Sequence, residues 1–290
     1  MKQLKKRCLI IDGNNLLYSS YHISQKMSWK ITNGTIFFSL RVLISVLKKN
    51  DYRRLIVFFD GGGTNFRKKI FPQYKAQRVE MPNELWEQMK MFKLLLKKTN
   101  ISYIQLTNFE ADDLIASFIN QITKIDPNLI FDIFTRDKDL MQLINENTSI
   151  LKYINKKLTF YTHEHFFKEY NFLPKNYIDY LSLLGDDVDN IKGIKGIGPV
   201  SAKSLIQCFS TIENIYQKLD TLPESIKNLL MNKQEVVFLN KRIISLEENI
   251  PLSIKKNEIR EFYWKKWKNN EELQRFCTDN NFLSILKLLN

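Results

Sequence analysis

Short runs of apolar, β-branched or aromatic residues recur along the first half of the chain. They are Cys8-Leu9-Ile10-Ile11, Leu55-Ile56-Val57-Phe58-Phe59, residues 101–106, and Ile130-Phe131-Asp132-Ile133-Phe134-Thr135. Their length and composition predict buried strands over 8–12, 54–60, 101–106 and 130–135. Between them the period becomes helical. Residues 35–49 carry Phe38, Val42, Leu43 and Val46 near one face. Residues 84–98, with Asn83 as cap, carry Leu85, Met89, Phe92 and Leu96, and 111–124 form the next helix. A short helix at 139–144 follows, then a hairpin of 149–154 and 158–161 at the sheet margin. This alternation predicts an α/β fold, a mostly parallel central sheet with helices on both faces. From Pro174 onward the strand pattern stops. Helices are predicted at 175–184, 199–208, 211–219, 224–246 and 271–289, with Pro199 suited to a first helical position. The chain thus divides into an α/β core, 1–174, and a helical region, 175–290.

Acids sit just past the strand ends. Asp12 closes the first run, Asp60 the second, and Asp137 and Asp139 follow the fourth. Glu110-Ala111-Asp112-Asp113 opens the helix after the third. A single acidic first turn is ordinary, since carboxylates favour the helix dipole by roughly 0.3–1 kcal/mol each. Acids after every strand are not explained that way. The carboxyl edge of an open parallel sheet is where ligands bind.

Net charge is +13, with 44% hydrophobic residues, a globular composition. A basic surface suits nucleic acid or an anionic membrane. Packed carboxylates on such a body repel one another unless a metal or proton neutralises them. That combination points to a metal-dependent enzyme acting on a polyanion. The three cysteines, Cys8, Cys208 and Cys277, show neither a disulfide framework nor a thiolate zinc spacing, which fits the cytoplasm. The basic start (Lys2, Lys5, Lys6, Arg7) runs into Asp12, Asn14 and Asn15 too early for a signal peptide, and no segment approaches the ~18 apolar residues of a membrane span. His163 and His165 read as a solvated helix start rather than a metal pair.

Two further stretches carry candidate chemistry. After Gly61-Gly62-Gly63 come Arg67, Lys68, Lys69, Lys75 and Arg78, interleaved with Phe66, Phe71 and Tyr74. Cations can track phosphates and rings can stack on bases there. Residues 185–203 join Asp186 and Asp189 to the glycines Gly193, Gly196 and Gly198, with Lys192, Lys195 and Lys203 around them. The order of acids is not that of an EF-hand calcium loop. Glycines between two helices allow close backbone approach, and exposed amides at a helix start can take a phosphate. The spacing suits a helix-hairpin-helix clamp on the DNA backbone, which reads phosphates and not bases.

Taken in order, these motifs resemble the 5′-nuclease (flap endonuclease) family, closest to the 5′–3′ exonuclease domain of bacterial DNA polymerase I. The matching stretches are Ile11-Asp12-Gly13, Phe59-Asp60, Phe66-Arg67, Tyr74-Lys75-Ala76-Gln77-Arg78, Glu110-Ala111-Asp112-Asp113, Asp137-Lys138-Asp139, Gly185-Asp186, Asp189-Asn190 and the glycine hairpin. They cover roughly residues 8–205. The resemblance implies that Asp12, Asp60, Glu110, Asp112, Asp113, Asp137, Asp139, Asp186 and Asp189 hold two or more divalent ions, Mg²⁺ with Mn²⁺ as a substitute, some through water. It implies a helical arch over about 61–99, from which Lys75 and Arg78, with Arg67 and Tyr74, reach the scissile phosphate. The hairpin at 193–198 would grip duplex DNA, with a potassium ion on its carbonyls. Two cations roughly 3.5–4 Å apart suit phosphodiester hydrolysis independently of the resemblance.

The expected activity is hydrolysis of DNA at or near 5′ ends or flaps, in primer removal and repair, by a monomeric stand-alone enzyme. The rivals are a non-catalytic structure-specific DNA-binding protein and a PIN-type ribonuclease; the first needs missing acids, the second lacks the hairpin. The chain departs from the family pattern at Ser19, commonly Arg, at Arg136, commonly small, and at Asp187-Val188, commonly small or hydroxylated.

Overall fold

Alternation along the strands decides what each face of the sheet buries. In the computed structural model, which describes residues 6–27, 31–252 and 262–289, Cys8 and Ile10 point to one face and Leu9 and Ile11 to the other. The strands are β1 (Arg7–Asp12), β2 (Arg54–Asp60), β3 (Ser102–Leu106), β4 (Ile130–Phe134), β5 (Thr148–Ile154) and β6 (Lys157–Tyr161). They form one sheet ordered β3-β2-β1-β4-β5-β6, parallel except for the β5–β6 hairpin. The order reverses between β1 and β4, which makes the crevice above those two strands the place for a ligand.

The helices are α1 (Gly13–Gln25), α2 (Gly34–Leu47), α3 (Phe66–Ile70), α4 (Asn83–Lys98), α5 (Ala111–Ile125), α6 (His163–Tyr170), α7 (Tyr177–Leu184), α8 (Pro199–Phe209), α9 (Ile212–Gln217), α10 (Glu224–Leu230), α11 (Gln234–Ile244), α12 (Trp264–Lys268), α13 (Glu271–Asp279) and α14 (Leu283–Leu289). Helix α1 is not in the sequence expectation, because Asn14, Asn15, Ser19 and Ser20 blur its apolar stripe. Leu16 and Leu17 nevertheless bury fully, and Asp12 caps the helix by accepting from the Asn15 amide. The helix expected over 224–246 breaks at Asn232, and the one over 271–289 breaks at Asn281. Both asparagines take a left-handed backbone, which Asn tolerates better than most residues. The 163–165 pair opens α6, where Thr162 and His165 form a capping box, as a helix start should.

Helices of the 175–290 region pack on both faces of the sheet. Helices α7–α11 pack with α5 on the face that buries Cys8, Ile10, Ile56 and Phe58. Residues 262–289 return to the opposite face and pack with α2 and α4 through Trp267, Leu273, Phe282 and Ile285. The expected arch region has a specific form. Helix α3 is short, turns and extended chain run to residue 82, and α4 belongs to the core through Leu85, Met89 and Phe92. Lys2 and Lys5 lie outside the described residues.

Candidate active site

The ends of β1, β2 and β4 and the start of α5 converge at the carboxyl edge of the sheet, where hydrogen bonds fix Asp12, Asp60 and Asp137. Asp60 Oδ1 accepts from the Ala111 amide at 2.8 Å and so ties the end of β2 to the start of α5. Its own amide donates to Asn14 Oδ1 at 3.0 Å. Thr135, buried at the end of β4, bridges two acids: its hydroxyl donates to Asp12 Oδ2 at 2.8 Å and accepts from the Asp137 amide at 2.9 Å. Asp137 Oδ1 accepts from the Asp139 amide at 2.9 Å.

Asp12, Asp60, Asp112, Asp137 and Asp139 are undercompensated. Burial pushes Asp12 up to about 7, and nearby Asp137 and Asp60 add to the rise. Burial likewise raises Asp60, with Glu110 adding to it, and raises Asp137, with Asp189 adding. It raises Asp112 well above the ordinary carboxylate range, with Asp137 and Asp12 as the repelling neighbours. Asp139 is raised in the same way, by burial and then by Asp137 and Asp189. Its Oδ1 is buried with no hydrogen-bond partner. Asp139, Asp186 and Asp189 bring one carboxylate oxygen each within 4.8 Å of one another. An orphaned buried oxygen beside two more carboxylates is a donor set for a hard cation. The residues present therefore fit metal ions.

Other expected site residues are neutralised by protein cations. Arg67, 2% exposed, clasps Asp113 with two bonds of 2.6 and 2.8 Å. It also donates to the carbonyls of Ile243 and Ser245 at the end of α11 and to Glu110 at 3.2 Å. Asp113, expected at the metal ions, and Arg67, expected at the DNA, are partnered with each other in this structure. Both groups are sealed in a bidentate buried pair that locks α3, α5 and α11 together. Tyr74, expected at the DNA, is likewise enclosed in this structure. It is 3% exposed, and its hydroxyl lies 3.0 Å from Glu110 and 3.1 Å from Asp189.

Lys75 Nζ donates to Glu110 at 2.8 Å and lies 3.7 Å from Asp189, while Arg78 pairs with Asp189 at 2.8 Å. Burial would raise Glu110, but Lys75 and Arg67 overcome it and hold the carboxyl below its ordinary value. Lys75 is held by its backbone too: its φ is +56°, and its amide donates to the Asp189 carbonyl. The 73–78 stretch is thus fastened to the 187–190 loop, further by Asn190 Nδ2 on the Gln73 carbonyl at 2.8 Å. It is not an arm standing off the core.

That loop leads into the glycine hairpin. Short strands β7 (Gly185–Asp186) and β8 (Ile191–Lys192) bring Asp186 and Asp189 to the cluster. Gly193 packs on the Leu184 carbonyl, where a Cβ would come within 2.0 Å, so no other residue fits. Gly196 has φ +93°. Gly198, just before α8, faces open space. Lys192 and Lys195 are exposed beside it, whereas Lys203 is engaged with the Glu169 carbonyl at 2.6 Å.

Sequence reasoning missed Thr135, Asn14, Asn15 and Tyr18 as site residues. Polar residues next to strand-end acids were the available signal. The phenol of Tyr18 is raised by burial and by Asp60, with Arg78 opposing, so it borders the cluster. Lys138 pairs with Asp186 at 3.1 Å.

The chain matches two family models, "5'-3' exonuclease, N-terminal resolvase-like domain" over residues 7–171 and "5'-3' exonuclease, C-terminal SAM fold" over residues 172–270. It is 35% identical over 263 residues to a 5'-3' exonuclease of Mycoplasma genitalium, covering 86% of this chain and 90% of that protein. It is 32% identical to DNA polymerase I of Caldicellulosiruptor bescii over 98% of this chain, but spans only 33% of that polymerase. In fold it is similar to the T5 D15 protein co-crystallised with metal ions (TM-score 0.69, 20% identity, 98% and 100% coverage). It is also similar to the catalytic core of Rad2 in complex with DNA substrate (TM-score 0.63, 20% identity, 99% and 93% coverage). A resolvase-like sheet rimmed with undercompensated acids, joined to a glycine hairpin and matched along nearly its whole length to exonuclease relatives, shows that the chain belongs to the 5'-3' exonuclease family.

Proposed function

We propose that this protein hydrolyses DNA phosphodiesters at or near 5′ ends, as a 5′–3′ exonuclease and 5′-flap endonuclease in primer removal and repair. The observation that carries the reading is the buried carboxylate cluster at the β1–β4 crevice, short of counter-charge in a protein of net charge +13. Asp12, Asp60, Asp112 and Asp137 would hold one divalent ion, and Asp139, Asp186 and Asp189 another. Mg²⁺ suits the all-oxygen donors and Mn²⁺ would substitute. When bound, such ions activate water and stabilise the leaving oxygen of a phosphodiester.

The chain's own residues do the rest. Thr135 and Asn15 keep Asp12 turned toward the crevice. Lys75 and Arg78, at present on Glu110 and Asp189, lie beside the cluster where phosphate oxygens of a bound strand would compete for them. An ammonium there stabilises the redistributed charge of the transition state. The Gly198 backbone, open to solvent at the start of α8, with exposed Lys192 and Lys195, would hold duplex phosphates without sequence choice. The hairpin carbonyls are the place for a potassium ion. We take the enzyme to work as a cytoplasmic monomer; among the described residues no helix is long and apolar enough to cross a membrane.

The test is cleavage of a 5′-flap duplex, a blunt duplex and an RNA-primed duplex, each with Mg²⁺ and with chelator. Cleavage of the flap substrate that disappears on chelation is expected; cleavage that survives full chelation overturns the mechanism.

A further inference from the structure

The cations around the carboxylate cluster are nearly all spent on acids of the protein itself. Arg67 is held by Asp113, Lys75 by Glu110, Arg78 by Asp189 and Lys138 by Asp186. Arg136 is different. It is exposed, and its guanidinium has no ion-pair or hydrogen-bond partner among the described residues.

Its backbone, in contrast, is held firmly. The Arg136 amide donates to Asn15 Oδ1 at 3.2 Å. Thr135 before it is bonded to Asp12, and Asp137 after it is bonded to Thr135 and Asp139. The residue thus leaves the loop after β4 from a fixed point, at the crevice where the strand order reverses. Its neighbour across the loop is the face of α1 that carries Asn15. Ser19, one turn further along that face, offers a small hydroxyl and no charge.

An acid-lined crevice repels a polyanion unless its rim supplies positive charge. A guanidinium is the side chain best shaped for two parallel bonds to a phosphate. It is weakly hydrated and always charged, so an exposed one fixed at its root is prepared for an anion.

We infer that Arg136 is a substrate-binding residue, contacting a backbone phosphate of the nucleic-acid strand beside the scissile bond. The inference rests on the site taking a nucleic-acid strand, as proposed above. It needs no new chemistry, because the contact is one charge-assisted hydrogen-bonded pair that positions the strand.

The experiment is equilibrium binding of a 5′-flap duplex with Ca²⁺ in place of Mg²⁺, titrated with salt. The proteins are the wild type, Arg136→Ala, Arg136→Lys and Arg53→Ala. Arg53 is exposed at the opposite edge of the sheet, paired with Asp51, and controls for net charge. Arg136→Ala is expected to weaken binding roughly tenfold near 0.1 M salt. Its log–log salt slope should be shallower by about 0.9, the share of one duplex phosphate. Arg136→Lys should keep the wild-type slope, since one charge remains, while losing part of the affinity. Arg53→Ala should leave the slope unchanged. An Arg136→Ala slope equal to wild type, or an equal loss in Arg53→Ala, overturns the inference while the functional reading stands. A wild type whose binding ignores salt overturns the functional reading itself.

Discussion

Two sets of acids share the carboxyl edge of the sheet, and they differ in what balances their charge. Asp112 and Asp113 show the contrast within one helical turn. Asp113 lies against Arg67, fully buried and doubly bonded. Asp112, about 100° further round the helix, faces Asp137 and Asp12 and is raised well above the ordinary carboxylate range by burial and those neighbours. The same division separates Glu110, held low by Lys75 and Arg67 against its burial, from Asp12, raised to about 7. Acids clasped by a buried cation, Asp113 above all, hold the scaffold together, whereas Asp186 and Asp189 pair with the part-exposed Lys138 and Arg78 at the margin of the cluster. Acids without a cation are kept by the fold at a cost in stability, which an incoming cation would relieve.

The largest effect that could break this division is expected at Asp137. Asp137→Asn should abolish cleavage to the uncatalysed background while leaving flap-duplex binding largely intact, read by single-turnover kinetics and equilibrium binding. Near-normal turnover at saturating Mg²⁺ would remove Asp137 from the unbalanced set. Asp113→Ala should instead destabilise the fold, by about 3–5 kcal/mol, because it strands a buried guanidinium. Denaturant unfolding reads this loss; a variant as stable as wild type but inactive would place Asp113 with the catalytic acids. Lys75→Ala should lower single-turnover cleavage on the order of 10²–10³-fold, with a smaller fall in binding and partial rescue by Lys75→Arg. Equal falls in rate and binding would make Lys75 a docking residue.

pH sharpens the comparison in metal-free protein. Asp12 has a folded value above its unfolded one. The stability it contributes is present below pH 3.8 and is lost as pH rises to about 7. Asp112 and Asp139 are raised and act in the same sense. Glu110 is lowered, so its contribution is present above pH 4.5 and is lost as pH falls below that. Melting temperature without metal should therefore fall between pH 5 and 7.5, and the Mg²⁺-induced rise should be larger at pH 7.5. A rise equal at both values would mean that these acids are not where the ion binds. The smallest effect is expected of Gly198→Val, which touches neither set. The glycine faces open space and has an ordinary negative φ, so the fold should survive. Duplex binding should weaken by roughly tenfold, similarly across DNA sequences. Loss confined to one sequence would contradict a backbone clamp.

Strand-end acids and glycine spacing are local features, and they were legible. Asp12, Asp60 and Asp137 follow apolar runs whose burial was readable from composition alone. Helix α1 was not readable, because its outward face carries the polar residues Asn14 and Asn15, which hold Asp60 and Arg136 in place. Its helical stripe was weakened by site residues, a conflict between pattern and function that local reading cannot resolve. The helix breaks at Asn232 and Asn281 were hidden because a left-handed asparagine leaves the apolar spacing on either side intact.

From its sequence alone this protein was determined to have a parallel sheet, an acid-rimmed edge, a basic body and a glycine hairpin, since each depends on residue type and short-range spacing. Only the tertiary structure decided which acids have partners. Arg67 and Asp113 are 46 residues apart, Arg78 and Asp189 are 111 apart, and Arg67 also closes on α11 carbonyls 176 and 178 residues away. Charge balance depends on distance through a low-dielectric interior, and nothing in the local pattern reports which cation the folded chain will bring within 3 Å of a given carboxylate.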